Sequence, residues 1–385
     1  MFDLFSNTSL LRCLLVIGLN WCAPVIAASD VCVKHQCVAV VDAGSTGSRL
    51  HVYAYDTDEN HQPVHIFEHY AHRVNPGLAS LTLDQKIINK YLEELFSVSF
   101  GHRIPVYVYA TAGMRLLSIV DQEKYYDALR NWFSYQSQLD LEDARTISGT
   151  EEGVFAWLAV NLPVGALNSE FPTYTGVMDV GGASTQVVFA VKNSQDIAPE
   201  DLVEFDLYGK HISLFSHSFL GLGIREVSKR FHLQPLCWTL GYVSSDAATV
   251  GQGDANLCQS SVSDEINTIY DIQRIVRPAQ LNNPSDSWTV LGAVSAMLKT
   301  FNGTTNDLDL QTLLQKTDEL RCRAIWPDLV VQYPEDKDLS SSCLLGSYYY
   351  ALTVNGYGLA PEQKIHYNSS NQETDWTLGV VLHLH

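Results

Sequence analysis

Basic residues are scarce in this chain of 385: 24 Lys and Arg stand against 43 Asp and Glu, a formal net charge of -19. A surface this acidic repels polyanions, which excludes nucleic acid and anionic lipid as partners. It also repels free polyphosphate, so a phosphate site here needs a cation and a few well-placed arginines. No C-x-x-C occurs, against zinc ribbons and thioredoxin chemistry, and no H-E-x-x-H, against a zinc-protease helix. Beyond the N-terminus no apolar run reaches the ~18 residues of a membrane span.

The apolar stretch Leu10–Leu19, followed by the small residues around Ala27 and Ala28, reads as a secretory signal over residues 1–28. The mature protein is therefore expected to be secreted and soluble, without a membrane anchor. Six cysteines remain after its removal, which fits an oxidising compartment. Among the connectivities they allow, proximity favours Cys32–Cys37, Cys237–Cys258 and Cys322–Cys343.

With 46% apolar and 17% charged residues the chain is globular and long enough for two domains. Apolar segments of strand length alternate with helical ones, which predicts an α/β protein. Leu83–Phe96 and Gln122–Ser137 read as helices and Ile104–Ala110 as a buried strand. Thr150 is expected to cap a helix through Asn161. Val290–Met297 is strand or helix, which periodicity does not decide. The histidines His51, His61, His65, His69 and His72 read as loop and strand-surface residues.

One pattern occurs twice. Val40–Val52 and Val177–Phe189 each carry an apolar run ending in Asp, a Gly/Ser/Thr turn, and a second apolar run. A strand thus delivers a carboxylate to a turn of small residues whose backbone N–H groups and hydroxyls can approach phosphate oxygens. The first turn offers Ser45, Thr46, Gly47 and Ser48, and the second Gly182, Ala183, Ser184 and Thr185. Asp42 and Asp179 are natural hosts for a hydrated Mg²⁺ or Ca²⁺. Arg49 can neutralise a terminal phosphate. Splitting a phosphoanhydride also needs a base for water, and Glu151-Glu152 at a loop–helix junction supplies the carboxylate. The repeat predicts two related domains with the ligand in the cleft between them.

These residues resemble the apyrases, the ecto-nucleoside triphosphate diphosphohydrolases, within the actin-like superfamily of two-domain phosphate binders. Four of that family's motifs stand here in order: Asp42–Arg49, Ala110–Arg115, Gly149–Gly153 with Trp157 and Asn161, and Asp179–Gln186. A looser fifth surrounds Gly292–Ala296, and Asp375–Gly379 resembles the family's closing motif. The resemblance implies two actin-like, ribonuclease-H-like domains with a nucleotide cleft between them. We expect residues 29–148 in the first, rejoined by about 365–385, and 149–364 in the second. It implies Glu152 as catalytic base, Ser184 and Gln186 holding the attacking water, and Ser48, Arg49, Thr111, Arg115 and Ala183 around the phosphate. Asp42 and Asp179 would carry the cation largely through water. The aromatic that family members place after the fifth motif is missing, Met297-Leu298-Lys299 standing there instead, so Asn302 with Tyr348 or Tyr350 is expected against the base. The implied reaction takes nucleoside tri- and diphosphates to the monophosphate. Its rivals are an exopolyphosphatase of the same superfamily and a secreted nucleotide binder without turnover, for which Glu152, Ser184 and Gln186 would be superfluous.

Overall fold

The computed structural model describes residues 29–384, apart from 164, 168, 170, 171, 246, 303–305, 337 and 368–374, and apart from the side chains of 29, 30 and 302. The expected signal segment lies outside them. The strands are β1 (Gln36–Ala43), β2 (Ser48–Thr57), β3 (Pro63–Val74), β4 (Ile104–Ala110), β5 (Leu139–Thr146), β6 (Gly176–Val180), β7 (Ser184–Ala190), β8 (Leu202–Leu207), β9 (Lys210–Leu220), β10 (Trp288–Leu291), β11 (Asp307–Asp309) and β12 (Lys364–Tyr367).

They form two mixed sheets, in the orders β3-β2-β1-β4-β5 and β11-β12-β10-β6-β7-β9-β8. In the first sheet β1 pairs antiparallel with β2 and parallel with β4; β2–β3 is antiparallel and β4–β5 parallel. In the second, β6 pairs antiparallel with β7 and parallel with β10; β7–β9 is antiparallel and β10–β12 parallel. With β8 and β11 set aside as edge additions, β9-β7-β6-β10-β12 repeats the first sheet strand for strand, in order and direction. The repeat legible in the sequence is thus the start of a repeated five-stranded unit.

Strand periodicity explains how two sheets make one body. Along β1, Ala39, Val41 and Ala43 enter a core with the helices Gln85–Leu95 and Ile119–Phe133, while Val38 and Val40 enter another. Along β6, Met178 and Val180 pack into the second sheet's own core, while Val177 joins Val38 and Val40. A shared apolar layer therefore lies between the sheets, filled by the helix Gly149–Asn161, whose residues from Glu152 to Asn161 are all buried. A helix apolar on every side has to be enclosed, and this one is. The C-terminal helix Thr377–His383 packs on it and reaches β1 and β2.

Several local expectations are met and some are corrected. Helices cover Gln85–Leu95 and Ile119–Phe133. Val290–Met297 is both things at once: β10 ends at Leu291 and a helix runs Gly292–Asn302, the chain turning at Gly292 with φ of +71°. The cap of Gly149–Asn161 is Ser148 and not Thr150, in a capping box with Glu151. Lys364–Tyr367 belongs to the second sheet through β10, so the return to the first side lies beyond Tyr367, where Asp375 and the final helix reach β1 and β2.

The three expected disulfides are present: Cys32–Cys37, Cys237–Cys258 and Cys322–Cys343. The latter two each close a 21-residue separation in the second half. Closing loops of that size removes unfolded-state entropy worth roughly 3 kcal/mol each. Replacing Cys322 and Cys343 by serine is expected to lower unfolding stability by about that amount in denaturant titration. Turnover at low temperature should be retained, because the pair lies away from both Asp-bearing turns.

Candidate active site

The same alternation that builds the central layer aims the functional residues. Asp42 shares its face with Val38 and Val40, and Asp179 shares its face with Val177, so both carboxylates come off their strand ends into the space between the sheets. Both are buried. Opposite Asp42 in the ladder stands Arg49, and opposite Asp179 stands Gln186. The two copies thus present an Asp–Arg pair and an Asp–Gln pair at equivalent register.

The turns behind these carboxylates touch. A Cβ on Gly182 would lie 2.4 Å from Ser45 Oγ and 3.0 Å from Thr46 Cγ2, so any larger residue would have to push these side chains aside. Arg225 ties the turns together by donating to the Ser45 carbonyl at 3.0 Å. Thr111 N–H donates to the Ala43 carbonyl, setting the Ala110–Arg115 segment beside the first turn. Ala183 is buried within the second. Ser45, Thr46 and Gly47 belong to the first turn proper; Ser48 is its exit, on the opposite face of β2 from Arg49 and buried with Leu50 and Val52. That face assignment removes the Ser48 hydroxyl from the expected phosphate set.

Glu151 and Glu152, adjacent in sequence, do different work. Glu151 accepts from the Ser148 N–H at 2.8 Å and from Arg145 Nη2 at 2.9 Å, and so serves the helix start. Glu152 points the other way and is buried beside the second turn. Its Oε2 accepts from Arg115 Nη2 at 2.5 Å and from Gln186 Nε2 at 3.1 Å. Gln186 Nε2 also lies 2.8 Å from Ser184 Oγ and 2.9 Å from Ser218 Oγ, and Arg115 Nη2 donates to Ser184 Oγ at 3.1 Å. Arg115, expected on phosphate, is here the partner of the carboxylate. Ser218 was not singled out from the sequence; its signal is the alternation Ser216-His217-Ser218 along β9, the strand beside β7.

The electrostatics follow from four carboxylates in one enclosed space. Burial raises Asp42 to about 7, with Asp375 adding and Arg49 opposing. Burial raises Asp179 to about 8, reinforced by Glu152, Asp375 and Asp42. Glu152 is likewise pushed up by burial, against the pull of Arg115. Asp375 goes the other way: burial opposes its charge, but His51 and Arg49 outweigh it and hold the carboxyl well below its ordinary range. His51 is the second missed residue. It is buried on the face of β2 that carries Arg49, with Nδ1 2.6 Å from Glu68 Oε1 and Nε2 3.5 Å from Asp375 Oδ2. Burial disfavours its positive charge, yet Asp375 and Glu68 raise it to about 10. The expectation of a surface histidine is therefore wrong at position 51.

The residues suit a hard cation bound through water. Two carboxylates that burial disfavours as free anions meet there, and Asp42 Oδ1 is buried without a hydrogen-bond partner. Among the described residues no group of three or more His, Cys, Asp or Glu forms a complete cage. Asp42 and Asp179 are the two carboxylates here that could hold a cation, with water or phosphate completing its coordination.

The expected base contacts fare differently. Tyr348 is fully enclosed in the second sheet's core, its hydroxyl donating to the Leu222 carbonyl at 2.6 Å, so no base can stack on it. Tyr350 sits in the same core at its margin, 9% exposed. Asn302 ends its helix, and its side chain lies outside the described residues.

The model of the GDA1/CD39 (nucleoside phosphatase) family matches residues 32–385. The chain is 27% identical to ectonucleoside triphosphate diphosphohydrolase 1 of Bos taurus, over 90% of this chain and 80% of that one. It is 29% identical to a nucleoside-triphosphatase of Pisum sativum, over 88% and 86%. Among solved structures, a nucleoside triphosphate hydrolase from Neospora caninum superposes with a TM-score of 0.63 at 16% identity, covering 90% of this chain and 92% of that one. The Aquifex aeolicus PPX-GPPA enzyme follows with 0.52 at 14%, covering 90% and 99%, and at such identities the likeness speaks for the shared two-sheet fold alone. With the motif residues gathered around one cleft and the family model spanning all but the first 31 residues, the chain belongs to the GDA1/CD39 nucleoside phosphatase family.

Proposed function

We propose that this chain is an exported hydrolase that takes nucleoside triphosphates to diphosphates and monophosphates with the help of Mg²⁺ or Ca²⁺. The observation that carries the reading is the array of Arg115, Gln186, Ser184 and Ser218 converging on Glu152 between the two Asp-bearing strand ends. A binding protein has no need of a buried carboxylate held by an amide and a guanidinium. A water lodged against Ser184 Oγ and the Gln186 amide lies beside Glu152 Oε2, which can take its proton as the water attacks in line. Burial raises Glu152 from its ordinary value, against the pull of Arg115, which is the direction a general base needs. The turns Ser45–Gly47 and Gly182–Ala183 offer donors to the phosphates, and Arg49 neutralises the transferred group. A bound divalent cation would supply charge neutralisation across the phosphoanhydride, with Asp42 and Asp179 holding its waters.

The two lobes of this reading are about 29–148 and 149–367, since Lys364–Tyr367 pairs within the second sheet, with the helix Thr377–His383 tying the second back to the first. Export is supported by the three disulfides, and among the described residues no helix is long and apolar enough to cross a membrane. The fold shared with the PPX-GPPA enzyme makes inorganic polyphosphate the informative competitor. A product-resolved assay is expected to show ADP and then AMP appearing from ATP, with phosphate release from polyphosphate at least about tenfold slower. Release from polyphosphate alone would replace the nucleotide reading with the exopolyphosphatase one.

A further inference from the structure

The cleft holds a residue with no role in the reaction just described. Asp375 lies beyond the last strand, 326 positions from Arg49, yet both of its oxygens are engaged. Oδ1 accepts the Thr377 N–H at 3.0 Å, and Thr377 Oγ1 is 2.8 Å from the Tyr53 hydroxyl on β2. Oδ2 faces two cations: Arg49 Nη1 donates to it at 3.4 Å, and His51 Nε2 lies 3.5 Å away. His51 is in turn held from behind by Glu68, 2.6 Å from Nδ1. Arg49 has a rival carboxylate, since Asp42 is its ladder partner, but the nearest approach there is 3.9 Å and Asp42 Oδ1 stays without a partner.

We propose that Asp375, fixed by Thr377 and by the His51–Glu68 pair, is a positioning residue that draws Arg49 off Asp42 and thereby keeps Asp42 open to a divalent cation. An arginine beside a lone buried carboxylate would close on it in a bidentate pair, and that pair would exclude a metal. A second carboxylate on the far side divides the guanidinium's attraction. Asp375 can do so without competing for the metal itself, because its Oδ2 is already flanked by Arg49 and His51. The C-terminal segment would then set the cation affinity of the N-terminal turn, a link the strand repeat does not contain. The inference rests on the reading of Asp42 as a cation host.

The test measures cation binding rather than turnover. Mn²⁺ alone is titrated into the full-length protein and followed by loss of the free-ion EPR signal, for the wild type, Asp375→Asn, Arg49→Ala and the double variant. Asn keeps the oxygen that accepts from Thr377 and removes the charge. Asp375→Asn is expected to weaken Mn²⁺ binding about tenfold, Arg49→Ala to bind at least as tightly as the wild type, and the double variant to match Arg49→Ala. An equal loss from Asp375→Asn in both backgrounds would mean that Asp375 acts by its field alone and would overturn the proposal, leaving Asp42 as cation host. Absence of Mn²⁺ binding by the wild type overturns both. Should Asp375→Asn fail to fold, His51→Gln loosens Asp375 from behind; a smaller loss that also vanishes with Arg49→Ala supports the proposal, and unchanged binding sinks it.

Discussion

Glu152→Gln is expected to lower kcat by about 10²–10⁴-fold, the usual range for loss of a general base, while nucleotide affinity stays within roughly threefold or improves. Gln keeps the volume and one acceptor oxygen, so the contact with Gln186, and Gln186's own bond to Ser184, can persist. What disappears is the carboxylate that accepts from both the amide of Gln186 and Ser184's other partner, Arg115. Arg115 then loses its 2.5 Å ion pair and is left as a half-buried cation without its carboxylate, which favours a bound anion. Stability should fall for the same reason, so thermal melts must show that the variant is folded at the assay temperature. Glu151→Gln is the matched control. Its carboxylate serves the Ser148 cap and Arg145, so that change should cost on the order of 1 kcal/mol of stability and leave turnover nearly intact. If Glu151→Gln abolished turnover and Glu152→Gln did not, the roles would be exchanged.

Ser148-Gly149-Thr150-Glu151 is a capping-box pattern that commits Glu151 to the helix start, and taking Thr150 as the cap overlooks it. The convergence of Asp42 with Asp179 was legible in the sequence, since a period of two fixes which side of a strand its last residue faces once the core side is known. The matching lengths of the two turns make Arg49 and Gln186 equivalent in the sequence; that each stands opposite its Asp is a finding of the ladders. Contacts between distant segments could not be read this way. His51 reads as one histidine among several until Asp375, 324 positions later, is folded against it. Nor does residue type separate a tyrosine that shelves a base from one that fills a core: the run Tyr348–Tyr350 is a stretch of buried helix, and helical spacing points its rings in different directions.

Chelation is expected to abolish turnover, by at least about 10²-fold, and to expose a pH dependence of stability that the cation hides. Asp42 and Asp179 have folded values of about 7 and about 8 against an ordinary 3.8. A carboxyl raised in the folded state contributes stability that is fully present below its ordinary value and is lost as pH climbs through the folded one. Without cation, both contributions therefore drain away between about pH 4 and pH 8. His51, raised to about 10 from 6.5, adds to the same slope above neutrality. Asp375 is lowered, so its contribution is complete throughout this window and does not compensate. In excess EDTA the Tm should drop from pH 5 to pH 8 by at least about 5 °C, corresponding to a few kcal/mol in a chain of this size. Mg²⁺ or Ca²⁺ binds only the ionised carboxylates, so each should raise Tm little at pH 5 and strongly at pH 8, flattening the profile. Asp42→Asn together with Asp179→Asn removes the ionisable pair, and in that variant both the slope in EDTA and the stabilisation by cation should largely vanish. A cation effect of equal size at both pH values, surviving that double change, would place the metal elsewhere and leave the two strand-end carboxylates without a function in catalysis.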